Sequence, residues 1–262
     1  MKTLILILTF ILLTSNKELV EFNNYREINN ESFKEGETLN YIIHYGFIDA
    51  GAAKLELTKE TEKMYGREIL HCVGTGWSLK KFDWVFKVRD RYESYMDAEG
   101  IFPFKFVRRV DEGGYKINQN YYFYPSKKKI HTGKKDLVDS PNMYVQDMVS
   151  SFYYARILDY SKAKKGDVFE IPSFVDGKYF PIKIKFKGEE TISIRSGKYK
   201  CYLFNPVVQT GRIFKNENDL RFYVTCDKNK IPILIEAKLA VGSIKMELTS
   251  YEGVFSKVAK LK

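Results

Sequence analysis

Residues 182–187 read Ile182-Lys183-Ile184-Lys185-Phe186-Lys187, apolar and charged side chains in strict alternation. In an extended chain successive side chains point to opposite faces, so this stretch builds one greasy face and one wet face. A helix would scatter the same lysines around its circumference. The pattern recurs along the chain. Leu55 and Leu57 alternate with Lys54, Glu56 and Thr58; Phe86 and Val88 with Lys87, Arg89 and Arg91; Ile244, Met246 and Leu248 with Lys245, Glu247 and Thr249. One buried side per strand is the mark of antiparallel sheet.

Residues that tolerate tight or left-handed backbone separate these stretches at short intervals. They are Asp97-Ala98-Glu99-Gly100, Asp111-Glu112-Gly113-Gly114, Asp176-Gly177, Ser196-Gly197, Lys215 to Asp219 and Asp227 to Lys230. Nineteen Tyr and nineteen Phe against two Trp add a strand-favouring side-chain mix. The expected fold is all-β: an antiparallel barrel-like or half-barrel sheet with one amphipathic helix packed on or into it. A single domain over residues 31–256 accommodates it, since β-barrels and sandwiches of this length are ordinary.

The helix is expected from about Asn142 to Tyr160, capped by Ser140 with Pro141 at its first position and ended by Lys162 to Gly166. At 100° per residue Val145, Met148, Val149, Phe152 and Tyr153 share one side, and Asp147, Ser150, Ser151 and Tyr154 share the other. Arg156 projects into the apolar stripe. An unpaired guanidinium there costs several kcal/mol, so Arg156 is expected to reach a carboxylate or backbone carbonyls from the sheet. Pinning of the helix is the favoured purpose, ligand contact the sharper one.

The start of the chain carries an address. Met1-Lys2-Thr3 precede an apolar run from Leu4 to Leu13 broken only by Thr9, followed by Thr14, Ser15 and Asn16. That is the layout of a cleaved secretory signal over residues 1–16, and the run is about half the ~20 residues a spanning helix needs. The first cysteine is Cys72, so no lipoprotein attachment site lies near the cut. Export to the periplasm or cell envelope without a lipid anchor follows as the expectation. Residues 17–30, with four asparagines and no period, read as a linker.

The net charge is +10. Lysines gather at Lys80-Lys81, Lys127-Lys128-Lys129, Lys134-Lys135 and Lys162 to Lys165. They suit solvated strand edges first, and anionic partners such as lipid headgroups or acidic glycans second. Nucleic acid is not expected, because export removes the protein from it. Cys72, Cys201 and Cys226 show no metal spacing; buried free thiols are favoured over a Cys201–Cys226 disulfide.

Three separated motifs resemble an exported bacterial family, the domain of unknown function 3108. The stretch GETLNYIIHYGFIDAGAAKLEL (residues 36–57) is similar to its first hairpin through Gly36, Glu37, Leu39, Tyr41, Tyr45, Gly46, Ala50, Gly51 and Ala53. Asp147, Ser150, Tyr153 and Arg156 resemble its helix pattern, and residues 231–253 its closing strands. The resemblance implies a barrel-like or half-barrel fold and no activity. Gly46 and Gly51 suit tight turns or close backbone approach, and Asp147 and Arg156 read as fixtures of the helix.

Chemistry is hard to find. His44 with Asp49 is the best acid–base pair; His71-Cys72 lacks further metal ligands at usable spacing, and His131 follows a lysine run. Gly-x-Ser-x-Gly, His-Glu-x-x-His and the phosphate loop are absent. No cofactor and no metal are expected. Aromatics remain: Trp77, Phe82, Trp84 and Phe86 lie close together, and Tyr121, Tyr122, Phe123 and Tyr124 run consecutively. Alternation sends two of those four away from the core, so Trp77, Trp84, Tyr122 and Tyr124 with Arg156 are the candidate ligand contacts. The leading expectation is a non-enzymatic module for an amphipathic or glycan ligand. The alternative is a structural or assembly protein whose Lys183, Lys185 and Lys187 meet anionic envelope components or a protein partner. A hydrolase of envelope polymers, working through two carboxylates, comes last.

Overall fold

The computed structural model describes residues 25–58, 63–133, 137–207, 219–239 and 242–261. The expected signal, the first part of the linker, Lys134-Lys135 and most of the Lys215 to Asp219 turn lie outside the described residues. The first half holds β1 (Thr38–Tyr45), β2 (Ile48–Leu57), β3 (Lys63–Met64), β4 (Arg67–Ser78), β5 (Arg89–Asp97), β6 (Pro103–Glu112), β7 (Tyr115–Tyr124), β8 (Lys129–His131) and β9 (Leu137–Asp139). A helix, α1 (Ser150–Ile157), follows. Then come β10 (Val168–Ile171), β11 (Phe174–Val175), β12 (Lys178–Tyr179), β13 (Ile182–Ile194), β14 (Gly197–Pro206), β15 (Leu220–Thr225), β16 (Pro232–Lys238), β17 (Ser243–Glu252) and β18 (Lys260–Leu261).

Sixteen of these strands make one antiparallel sheet, in the order β10-β13-β14-β15-β16-β17-β1-β2-β4-β5-β6-β7-β8-β9 along its main path. The first long strand pairs with the last, β1 with β17, in the middle of the sheet. Its two free edges, β9 and β10, are short and come next to each other in sequence. The sheet is therefore a half-barrel, not a closed one. Residues 140–167 run from one edge to the other and carry α1 between them. Short edges also limit pairing with other chains.

Alternation places the core as expected. Leu57, Phe186 and Leu248 are buried, each on the apolar side of its strand. Val145, Val149 and Tyr153 pack with Leu57, Leu70, Cys72, Phe106, Tyr121 and Phe123, so α1 and the loop before it lie against the N-terminal strands. A second cluster, around Leu39, Tyr199, Leu203, Ile233 and Leu248, fills the C-terminal half. Ile69 and Leu70 point opposite ways from β4 and both are buried, which requires cover on both faces there. The second cover is Tyr25 with Phe102 and Phe104. Residues 25–30 thus depart from a linker. Tyr25 stands edge-on to Phe102 at 5.1 Å, and Arg26 donates to the carbonyls of Gly100 and Ile101.

The helix is shorter than its apolar pattern. It spans Ser150–Ile157, and Leu158 is already extended. Ser140 is not its cap: the Ser140 hydroxyl donates to the carbonyl of Asn142. Residues 142–149 are irregular chain, of which Val145 and Val149 bury against the sheet. The expected wet side is buried as well, at Asp147, Ser150 and Ser151, while Met148 of the apolar side is exposed. Phe86 likewise lies outside any strand; β5 begins only at Arg89. Three alternating residues are too few to outweigh the turn that Asp83 organises before them.

Cys72, Cys201 and Cys226 are free. Cys201 faces Thr225 in register, so the next residue, Cys226, points to the opposite side of the sheet. Burial pushes the Cys72 thiol well up, and those of Cys201 and Cys226 up to about 12. All three are neutral.

Candidate functional site

The helix is fixed to the sheet by one arginine. Both nitrogens at the tip of Arg156 donate to Glu37, Nη1 to Oε1 at 2.6 Å and Nη2 to Oε2 at 2.7 Å. Nε donates to the carbonyl of Asn229 at 2.9 Å, and Nη2 also to that of Ser32 at 3.0 Å. The rings of Phe33 and Tyr153 stand 5.3 Å from the guanidinium carbon. Arginine suits this role because its planar fork matches a carboxylate and its faces accept aromatic rings. Arg156 is 2% exposed and Glu37 not at all. Tyr41, on β1, donates its hydroxyl to the carbonyl of Pro232 at 3.0 Å. One buried polar node therefore joins α1, the start of β1 and the Asp227 to Lys230 turn.

Nine residues earlier, Asp147 organises the start of α1. Its Oδ1 accepts from the backbone N–H groups of Val149 and Ser150, at 2.7 and 2.8 Å. Its Oδ2 accepts from the Ser94 hydroxyl of β5 at 2.6 Å. The Asp147 N–H donates back to the Ser150 hydroxyl at 2.8 Å, a reciprocal cap. Burial raises the Asp147 carboxyl to about 6, in spite of these donors. Of these residues three apart, Asp147 ties to Ser94, Tyr153 packs into the core and Arg156 ties to Glu37, while Ser150 closes the cap with Asp147.

Beside this node lies a cavity of about 250 Å³, partly open to solvent. One wall is α1 and its flanks, with Met148, Phe152, Ala155 and Tyr160. The other is the C-terminal sheet, with Ile182 and Ile184 of β13, Phe204 of β14, Phe222 and Val224 of β15, and Pro232 of β16. The polar members are few and mostly engaged. Ser151 donates to the Asp147 carbonyl, Tyr160 to the Ala155 carbonyl, and Arg156 to the four acceptors above. Lys230 borders the same cavity; burial lowers its ammonium pKa. Asp159, Asp227 and Glu31 act on it only through space, and no carboxylate pairs with it at ion-pair distance among the described residues. An apolar void of ~150 Å³ holds benzene, so this space takes a larger apolar group.

A family model described as a protein of unknown function, DUF3108, matches residues 40–249. The chain belongs to this family. No curated protein matches it. Among solved structures, the DUF3108 chain is similar to a β-barrel-like protein of another domain of unknown function, DUF1849, from Brucella abortus. The TM-score is 0.54 at 8% identity, over 84% of this chain and 99% of that one. At that identity the likeness concerns the fold alone. Weaker likenesses are a Parabacteroides distasonis protein described as a lipoprotein (TM-score 0.36, 10% identity, 87% and 100% covered) and a Bacteroides fragilis protein described as exported with a YmcC-like fold (0.31, 11%, 86% and 98%).

The DUF3108 motif glycines have backbone reasons. Gly46 turns the β1–β2 tip at φ +58, and a Cβ on Gly51 would stand 2.8 Å from the Trp77 carbonyl oxygen. The aromatic candidates do not converge. Trp84 is exposed on the β4–β5 loop, Trp77 lines an open groove with Arg89, Arg91 and Arg109, and Tyr122 and Tyr124 stand on β7. Of the five candidate ligand contacts only Arg156 borders the apolar cavity.

The histidines are placed as follows. His44 Nδ1 meets Asp49 at 2.8 Å, and Asp49 also takes both tips of Arg195, at 2.9 and 3.0 Å. His44 Nε2 is buried without a hydrogen bond, so no hydroxyl or thiol is poised on it as a nucleophile. His71 binds Glu93 at 2.8 Å and stacks on Tyr95 at 4.1 Å. No group of three or more His, Cys, Asp or Glu capable of holding a metal occurs among the described residues. A ligand site beside the helix was the expectation; which residues line it is what sequence reasoning missed. Its walls come from α1 and from β10 and β13 to β16, and only the family motif around α1 pointed near them.

Proposed function

We propose that this DUF3108 protein is an exported, non-enzymatic binding module of the periplasm or envelope that holds an amphipathic ligand beside α1. One observation carries this reading. The space between α1 and β13–β16 is apolar, open at one side, and bordered by a lysine with no ion-pair partner among the described residues. Ligand pockets combine such an apolar lining with a few polar groups that fix orientation. The apolar tail enters the cavity, and an anionic end stays near Lys230. A glycan fits less well, because the hydroxyls and guanidinium on the walls already have acceptors.

The test is to extract the purified protein with organic solvent and analyse the extract by mass spectrometry. It is run beside an Ala155→Phe variant shown to be folded by its thermal melt. An amphiphile recovered in near-stoichiometric amount from the native protein and lost from the variant supports the reading. Equal recovery from both, or none from either after incubation with a fluorescent fatty acid, removes it.

A further inference from the structure

One end of the sheet exposes large apolar side chains on neighbouring turns. Phe47, at the β1–β2 tip, is fully exposed at 105%, and Trp84, Val85 and Phe86 of the β4–β5 loop are 85, 62 and 54% exposed. These turns share one end because β2 pairs with β4, Gly51 opposite Ser78, and the Leu79 N–H donates to the Ala50 carbonyl. The β6–β7 turn joins them: the Gly113 N–H donates to the Lys87 carbonyl at 2.8 Å. Exposed Tyr115 follows that turn.

The loop presents these side chains through fixed geometry. The Phe86 and Val85 N–H groups both donate to the Phe82 carbonyl, at 3.0 and 2.9 Å. The Trp84 indole N–H donates to the Lys81 carbonyl at 3.0 Å. Asp83 accepts from Ser78 at 2.5 Å and from Arg89 at 2.6 Å, which clamps the base of the loop. The loop holds these side chains out from the sheet.

The charges around them are predominantly basic. Residues 79–91 carry Lys80, Lys81, Lys87, Arg89 and Arg91, against Asp83, already bonded to Arg89, and Asp90; the β6–β7 turn sets Asp111 and Glu112 beside Arg108 and Arg109. An open groove of about 510 Å³ adjoins the loop, lined by Lys80, Arg109 and the Trp77 ring among others. Arg109 donates to carbonyls and to Asn120 but to no carboxylate. Aromatic rings on turn tips, ringed by lysines on long apolar stems, match the level of lipid headgroups, where rings sit shallow and cations meet phosphate. A stable protein interface instead needs a continuous patch of ~800 Å² on each partner, which separate turn tips do not form.

We propose that this end of the sheet, with Phe47 and Trp84 to Phe86 at its apex, docks on an anionic lipid bilayer. The surface is distinct from the cavity beside α1 and stands whether or not that cavity is filled.

The test is co-sedimentation of the full chain with vesicles of phosphatidylcholine alone, or of phosphatidylcholine mixed with phosphatidylglycerol. Trp84 emission is read in a Trp77→Phe background, where it is the sole indole. Residues 4–13 are common to every variant, so effects are read between variants. Anionic vesicles are expected to pull the protein down and shift Trp84 emission to the blue, and neutral vesicles to do neither. Lys80→Gln and Lys81→Gln, both on exposed side chains that leave the fold intact, are each expected to weaken partition about fivefold. A Trp84→Ser/Phe86→Ser variant is expected to lose it. Unchanged Trp84 emission with anionic vesicles overturns the proposal. So does indifference to the lysine substitutions, or a Trp84-dependent dimer on size exclusion, which would assign this end to a second copy.

Discussion

Arg156 on α1 and Glu37 at the foot of β1 form a two-pronged buried ion pair, at 2.6 and 2.7 Å, across 119 positions of sequence. With both side chains out of water, neither charge can be left alone. Arg156→Met is expected to cost about 3–5 kcal/mol, and Glu37→Leu a similar amount, because each strands its partner. An Arg156→Met/Glu37→Leu double variant is expected to recover much of that loss, since an apolar replacement of the whole pair removes both desolvation penalties. Urea midpoints of the four proteins form the cycle. Additive losses would show that the two residues act separately.

Asp147 gives the protein a pH signature. Its folded carboxyl titrates near 6, above the ordinary 3.8, because burial disfavours the charge. Between those values the folded state keeps a proton that the unfolded state has released, so stability falls as pH rises through that window. The change is on the order of 2–3 kcal/mol. Asp147→Asn keeps an oxygen for the Val149 and Ser150 N–H groups and lets the Ser94 hydroxyl turn to accept. The variant is expected to stay folded and to lose this part of the slope. Urea midpoints at pH 4, 5, 6 and 7, each taken as variant minus native, isolate it. A parallel pair of curves would refute the assignment.

The sheet was legible because a strand with one buried face must alternate, and residues 182–187 have no other way to hide three apolar side chains. The helix boundaries were not. Val145 and Val149 bury in the same cluster as Tyr153, so loop and helix carry one apolar pattern and only hydrogen bonding distinguishes them. Ser140-Pro141 imitated a cap, while the working cap is Asp147, recognisable only once Ser94 of β5 is beside it. Glu37 and Arg156 each stood out as motif residues. Their meeting depends on the β1–β17 closure that brings the chain's two halves together. The cavity depends on the same closure, and no local period encodes it.

Gly51 and Gly76 offer a paired control of backbone approach. A Cβ on Gly51 would press on the Trp77 carbonyl oxygen at 2.8 Å, whereas one on Gly76 meets nothing within 4 Å. Gly51→Ala is expected to destabilise by about 1–3 kcal/mol, since backbone must shift to relieve it. Gly76→Ala is expected to be neutral or to stabilise by up to about 1 kcal/mol, because it narrows the unfolded ensemble. Thermal melts of the two single variants compare them directly, and equal losses would mean that the β2–β4 contact is looser than it stands here.

The cavity makes separable demands on tail and headgroup. Ile184 and Ala155 both line it, one from the sheet and one from α1. Ala155→Phe is expected to weaken binding of a fluorescent fatty acid at least about tenfold, by occupying the space of the tail, and to weaken the matching fatty alcohol as much. Lys230→Gln leaves the space open and removes only the cation. It is expected to weaken the fatty acid by about tenfold to a hundredfold, the range of one charge-assisted hydrogen bond, and to leave the alcohol unchanged. Fluorescence titration of both ligands against the three proteins measures this. If Lys230→Gln weakened acid and alcohol equally, the lysine would be shaping the wall and not reading the headgroup.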